Sequence, residues 1–234
     1  RVERQTIGSL GIQLAAYRAA AFRTSVRGSR RQLFPGETLE ARVGGEYFFG
    51  SPLAGAAFTW NVIRERFDFA PRGFQGYAFD DPELELSHGG MLGSGRAALG
   101  DSGTASVRLP LPPDLPPVPQ ALHVEATVRD AAGDEVAGRT TLVYHPTRVY
   151  AGVMVEPRFV GPGDTVTARL VAVRADTAIA ATGTPLELDL VRREWRTVRK
   201  LLVGGRVGYE TAIVDSLIET SSGELDVIRA EIRR

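Results

Sequence analysis

The 234-residue chain contains no cysteine. That removes disulfides, thiolate metal sites and cysteine nucleophiles together, and it leaves a cytosolic and a bacterial-envelope protein equally open. An excess of either charge is missing too, since 28 basic groups face 28 acidic ones. Neither half is biased: 15 basic and 16 acidic groups precede Arg148, and 13 and 12 run from Arg148 onward. Without a basic field, nucleic-acid binding has little electrostatic support. No apolar run approaches the roughly 20 residues that span a bilayer, so no membrane-spanning helix is expected. Neither an initiator methionine nor a basic-then-apolar leader is present at Arg1; the numbering is expected to start inside a longer gene product or after processing. Lysine is nearly missing, with Lys200 beside 27 arginines, a bias read mainly as genome composition.

What is present reads as β-structure. The 26 glycines and 14 prolines punctuate the chain every ten or so residues, and the segments between them are short and alternating. Leu39, Ala41 and Val43 alternate with Thr38, Glu40 and Arg42, so one face of a strand is dry and the other wet. Phe58, Trp60 and Val62 share a face, as do Val124, Ala126 and Val128, then Leu186, Leu188 and Leu190, then Ile228, Ala230 and Ile232. Asp130-Ala131-Ala132-Gly133-Asp134 is a turn, which makes the chain from Leu122 past Glu135 a hairpin. Apolar spacing at three and four residues is not sustained anywhere, so helices should be few and short. The alanine-rich Leu10–Ala21 run favours a helix by propensity.

An internal repeat organises these strands. Pro35-Gly36-Glu37-Thr38-Leu39-Glu40-Ala41-Arg42-Val43 matches Pro162-Gly163-Asp164-Thr165-Val166-Thr167-Ala168-Arg169-Leu170 without a gap. In both copies Pro-Gly turns the chain, an acid follows, and an amphipathic strand begins. A second apolar strand then ends in Arg64-Glu65 in one copy and Arg193-Glu194 in the other. Two tandem sandwiches are the economical reading. Their boundary is expected near His145-Pro146-Thr147-Arg148, where proline stops strand pairing.

Few residues offer chemistry. Phe74 to Glu83, with Asp80, Asp81, Glu85 and His88, could gather oxygen ligands for calcium. The ordered ligand spacing of strong calcium loops is missing, which favours a solvated acidic turn whose aromatics pack on the sandwich. Adjacent carboxylates such as Asp80 and Asp81 usually point apart, so they are weak as an acid and base pair. His88, His123 and His145 lie far apart and outside metal spacing, as surface or strand-end residues. Neither a Gly-x-Ser-x-Gly elbow nor a phosphate-cradling glycine loop occurs. Trp60 and Trp195 could stack on sugars, yet each lies in an alternating strand where burial is the commoner fate. Leu109 to Pro119 offers a polyproline ligand or, more simply, an extended strand connection.

Several stretches together resemble the macroglobulin-like domains of bacterial alpha-2-macroglobulins. Tyr17-Arg18 through Phe22 to Val26 is similar to that family's Tyr-Arg-x-Pro-x-Phe-x-Val-x-Val entry into a third macroglobulin domain, with Ala20 in place of the proline. Glu46 to Ala56 looks like its Tyr-Tyr-Phe-Gly-x-Pro-Val-x-Gly-Ala element, and Phe74 to Pro82 like its Phe-Pro-Gly-Tyr-x-Phe-x-Asp-Pro loop. Leu122 to Asp130, with Gly133, Glu135-Val136 and the closing His145-Pro146, resembles its Val-Glu-Ala-Thr-Val-x-Asp hairpin. Phe159 to Asp164 and Leu190 to Trp195 look like a fourth domain.

The resemblance implies an all-β chain of tandem macroglobulin-like antiparallel β-sandwiches, of the fibronectin type III or immunoglobulin kind. Residues 1–16 would be the terminal strand of a preceding domain, and the Leu10–Ala21 run is on this resemblance expected to be strand. Residues 17–147 would be one sandwich, and residues 148–234 a second that the end at Arg234 could truncate. It implies an extracytoplasmic protein of the bacterial periplasm or cell envelope that traps proteases after cleavage of a bait segment. The partners would be neighbouring macroglobulin domains and, through the bait, target proteases. Many members carry a Cys-Gly-x-Glu-Gln thioester, which a chain without cysteine cannot contain. No catalytic residue, cofactor or metal is expected. The rival from another class is a surface adhesion or carbohydrate-binding module; an enzyme built on Asp80, Asp81, Glu83 and His88 ranks below both.

Overall fold

The computed structural model describes residues 21–81, 84, 89–161, 164–201, 207–224 and 227–231. Residues 1–16, the Leu10–Ala20 stretch, Pro162-Gly163 and Ile232 lie outside the described residues. Those described form strands, turns and loops, with no helix among them, and hence none long and apolar enough to cross a membrane.

The first sandwich uses eight strands. One sheet sets β3 (Thr38–Tyr47) between β1 (Phe22–Gly28) and β6 (Thr104–Pro110), antiparallel on both sides. The other runs in the order β2 (Gln32–Leu33), β8 (Glu135–Tyr144), β7 (Gln120–Arg129), β4 (Ala57–Arg66), β5 (Gly90–Ala98). Only the short β2 pairs in parallel among these strands. The dry faces read from the sequence meet in one core. Leu39 and Val43 of β3, Phe58 and Val62 of β4, and Leu122, Val124 and Val128 of β7 are buried together, with Trp60 packed half-buried against them. Strand β7 alternates inward and outward along its length, as expected of a central strand with one wet face.

Two connections follow from local chemistry. The Asp130 carboxylate accepts the N–H groups of Ala132 and Asp134 at 2.9 Å each. Gly133 takes φ +90°, a conformation a Cβ would strain, and the turn closes β7 onto β8 with Arg129 facing Glu135. The proline-rich segment spans from β6 to β7 without joining a sheet, turning at Pro113-Asp114 and bending at Pro117-Val118 rather than running fully extended. It is pinned by buried Leu111 and Val118 and by Gln120, whose Nε2 donates to Pro116 O at 3.1 Å and Val118 O at 3.3 Å.

The second unit repeats the opening of the first. Strand β9 (Val149–Glu156) pairs with β10 (Thr165–Arg174) as β1 pairs with β3. Val26 faces Val43, and at the matching positions of the second copy Val153 faces Leu170, so the repeat preserves register as well as sequence. The far edge of β10 carries β13 (Val227–Glu231), in the place β6 holds beside β3: Ser106 faces Arg42, and Val227 faces Arg169. Between β10 and β13 rises a long hairpin, β11 (Pro185–Leu201) with β12 (Val207–Glu224), where the first sandwich has β4 and β5. Among the described residues nothing takes the places of β7 and β8, and β11 pairs with β12 alone.

Candidate functional site

The most heavily built feature outside the main core is the passage from β8 to β9. His145 follows the last residue of β8 and donates its backbone N–H to Leu33 O at 2.9 Å. Its ring is closed in by aromatics from three stretches of chain. Phe34 stacks at 5.8 Å between centroids, Phe69 stands edge-on at 5.7 Å, and Phe67 at 6.4 Å. From the far side Tyr150 of β9 places its hydroxyl 2.9 Å from His145 Nδ1. The two groups share one hydrogen bond, whose direction follows the tautomer of the neutral ring.

Burial in this apolar box pushes the His145 pKa down to about 4, only partly offset by the charge of Asp176. Burial likewise pushes the Tyr150 phenol well above its ordinary value, with a smaller push from Tyr144. His145 is therefore held neutral at physiological pH. It acts as a polar pin between the units.

Further bonds cross the same passage. Gln32 Nε2 donates to Ala175 O at 3.2 Å, Ala175 N–H donates to Arg148 O at 2.9 Å, and the Arg148 guanidinium lies 4.5 Å from the centre of the Phe34 ring. The segment after β4 adds a clamp. Ala78 and Val153 exchange backbone hydrogen bonds of 2.8 and 2.9 Å, while Phe69 stacks on Tyr150 at 4.2 Å. The Phe79 ring lies where a Cβ on Gly152 would project, so β9 accepts it because that residue is glycine. What the arrangement can do is mechanical: it fixes one sandwich to the start of the next.

The candidate residues read from the sequence fare unevenly. Asp80 pairs with Arg66 at 3.2 Å; Glu83, Glu85 and His88 lie outside the described residues. Among the described residues no three His, Asp or Glu converge as metal ligands. The aromatics of that loop pack on each other and on β9, not simply on their own sandwich, because β9 presents Tyr150 and the open backbone at Gly152. His123 sits mid-strand on the outer face of β7, bonded to Thr141 at 3.0 Å and Glu65 at 3.2 Å. His145 is at a strand end, one of the two positions expected for it, and is buried there. Trp60 is half-buried, whereas Trp195 is 68% exposed, contrary to the burial expected of it, since nothing described covers that face of β11.

Comparison with known proteins meets this geometry. Residues 22–146 match the bacterial alpha-2-macroglobulin MG5 domain, a label that differs from the third domain suggested by the motifs. The chain is 20% identical over 219 residues to an alpha-2-macroglobulin homolog of Nostoc sp., covering 90% of this chain and 11% of that protein. It superposes on the native conformation of Escherichia coli alpha-2-macroglobulin with a TM-score of 0.67 at 14% identity, covering 92% of this chain and 15% of that one. On E. coli alpha-2-macroglobulin activated by porcine elastase the TM-score is 0.66 at 15% identity, with 91% and 20% covered. At these identities the superpositions speak for the fold, and the chain spans about a ninth of the Nostoc protein's length. A domain match over more than half of the sequence decides the family: the chain belongs to the bacterial alpha-2-macroglobulins.

Proposed function

We propose that this chain is a non-catalytic scaffold within a bacterial protease trap. Residues 17–147 form one macroglobulin-like sandwich and residues 148–234 a second. The parent protein works in the periplasm or cell envelope, where cleavage of a bait segment elsewhere in it triggers closure around the attacking protease. The similarity to a protein that porcine elastase activates supports this reading. The observation that carries the scaffold role is the junction, where His145, Tyr150, Phe69 and the Ala78–Val153 pair tie two units through buried aromatic contact. Such a joint transmits movement as a rigid body and supplies no reactive group.

The test is a paired inhibition assay. The full parent should protect a large substrate from elastase or trypsin in near-stoichiometric amount, and the 234-residue chain should give no protection. Inhibition by the chain alone would sink the scaffold assignment. Immunoblotting of fractionated cells should find a species several times heavier than 25.2 kDa in the envelope fraction. The exposed Trp195 favours one second reading, a carbohydrate-binding module; glycan-array binding that disappears in Trp195→Ala would support it.

A further inference from the structure

The β11–β12 hairpin changes character halfway along. Leu190 faces Glu219, but Val191 faces Leu217, so Ile218 is an extra residue in β12. Before this bulge Leu186, Leu188 and Leu190 share a half-buried face. Beyond it the apolar side chains stand on the opposite face of β11: Val191 with Leu217, and Trp195 with Ile213. Leu217 is 62% exposed, Trp195 68% and Ile213 55%. The Arg193–Asp215 ion pair, 2.6 Å, sits between these two apolar pairs. A hairpin that moves its apolar side away from the face its own unit buries is built to cover something else.

The first sandwich shows what occupies the equivalent place. There the chain between β4 and β5 leaves its own sheet and grips the first strand of the next unit, through the Ala78–Val153 bonds, Phe69 on Tyr150 and Phe79 on Gly152. Since β9, β10 and β13 reproduce β1, β3 and β6, β11–β12 holds, in chain order, the place between β10 and β13 that β4, the gripping segment and β5 hold between β3 and β6. Arg193, at the base of the arm, feels the charge of Asp81 from the first segment. This chain covers 11% of the Nostoc relative, which leaves room for more sandwiches in a parent of that size.

We infer that the distal half of the hairpin, Val191–Leu201 with Val207–Leu217, grips the opening strand of a further macroglobulin-like sandwich of the parent protein. Trp195 and Ile213 take the part that Phe69 and Phe79 take in the first grip. The partner strand is apolar on the contacted face, with a small residue where the indole lands. This rests on the scaffold reading insofar as the parent must supply that neighbour.

Because the chain has no cysteine, a single reporter thiol placed in it can be followed. Ile213→Cys and, independently, Leu217→Cys are introduced into both the 234-residue chain and the full parent. Maleimide labelling is followed by site-resolved mass spectrometry and divided by the rate in denaturant. In the chain alone each thiol should react within about threefold of the denatured rate; in the parent each should react at least about tenfold more slowly. Equal rates in chain and parent overturn the inference. Labelling of the chain alone that slows as its concentration rises also overturns it, in favour of a second copy as occupant. A parent that traps protease yet leaves both thiols reactive refutes only this inference. One that protects them but traps nothing refutes only the trap reading.

Discussion

The two units share an opening and part ways afterwards. β1 with β3 and β9 with β10 have the same pairing register at matching positions of the repeat. Yet β4 lies between β5 and β7 in a closed sandwich, whereas β11 has one neighbour among the described residues. The consequence is visible in the apolar residues. Those of β4 and β7, such as Val62 and Leu122, have no exposed surface, while those of distal β11–β12 face water. Alternation of apolar and polar residues specifies that a strand has a dry side; a neighbouring element decides whether that side is buried.

The sharpest way to break this comparison is to cut equal side chains in both places. Leu122→Ala opens a hole in the centre of the first core and should destabilise the chain by about 2–5 kcal/mol. Leu217→Ala on the exposed arm should change stability by less than about 0.5 kcal/mol. Urea unfolding of both variants beside the unaltered chain is the measurement. Comparable losses would mean that the arm is already packed in the isolated chain.

Acid should act on the seam between the units. His145 has an ordinary pKa of 6.5 when unfolded and about 4 in the fold. The unfolded chain therefore binds a proton that the folded chain refuses. Stability from this group is complete above pH 6.5, falls as the pH drops from 6.5 towards 4, and levels off below. The full difference is roughly 3 kcal/mol. Thermal unfolding between about pH 7 and 4 should show that loss, and His145→Gln should flatten its share of it. An unchanged slope in the variant would place the acid sensitivity elsewhere.

The sequence carried the strands but only part of the joint. Period-two alternation and the Pro-Gly repeat located β3, β4, β7 and β10 because each face pattern is local. The Asp130–Asp134 turn was legible because its bonds close within the turn itself. His145 was not, since its burial depends on Phe34, Phe67 and Phe69, all remote from it in the chain. The signal that was available is the density of aromatics after β4: Phe67, Phe69, Phe74, Tyr77 and Phe79 are too many for a loop that only faces water. Trp195 misled because its alternating strand is real but its cover is not among the described residues. The bulge at Leu190/Val191, which moves the apolar side, has no glycine or proline to announce it.

A smaller change tests whether the two units are locked or merely adjacent. Gly152→Val puts a branched side chain where the Phe79 ring lies, so the ring or the strand must move. Overpacking at such a site should destabilise by about 1–3 kcal/mol. Hydrogen exchange should show the Ala78 and Val153 amides losing protection while Val124 in the first core keeps its own. Protection retained at Ala78 would mean that the clamp does not depend on the close approach of Phe79.

The smallest effect concerns the ion pair on the arm. Arg193 and Asp215 make two bonds of 2.8 and 2.6 Å, and each raises the tendency of the other to stay charged. Both side chains are substantially exposed, so solvent screens the attraction and side-chain ordering opposes it. Asp215→Ala in the isolated chain should therefore leave the urea midpoint within the scatter of repeat measurements, and added salt should shrink any difference further. In the parent the same pair lies in the face that the next sandwich is inferred to cover, where removing one partner leaves the other charge poorly solvated. The variant should then cost more stability in the parent than in the chain, by domain-resolved hydrogen exchange. Equal and small effects in both would leave the pair as a solvated surface contact and the first unit's clamp without a counterpart in the second.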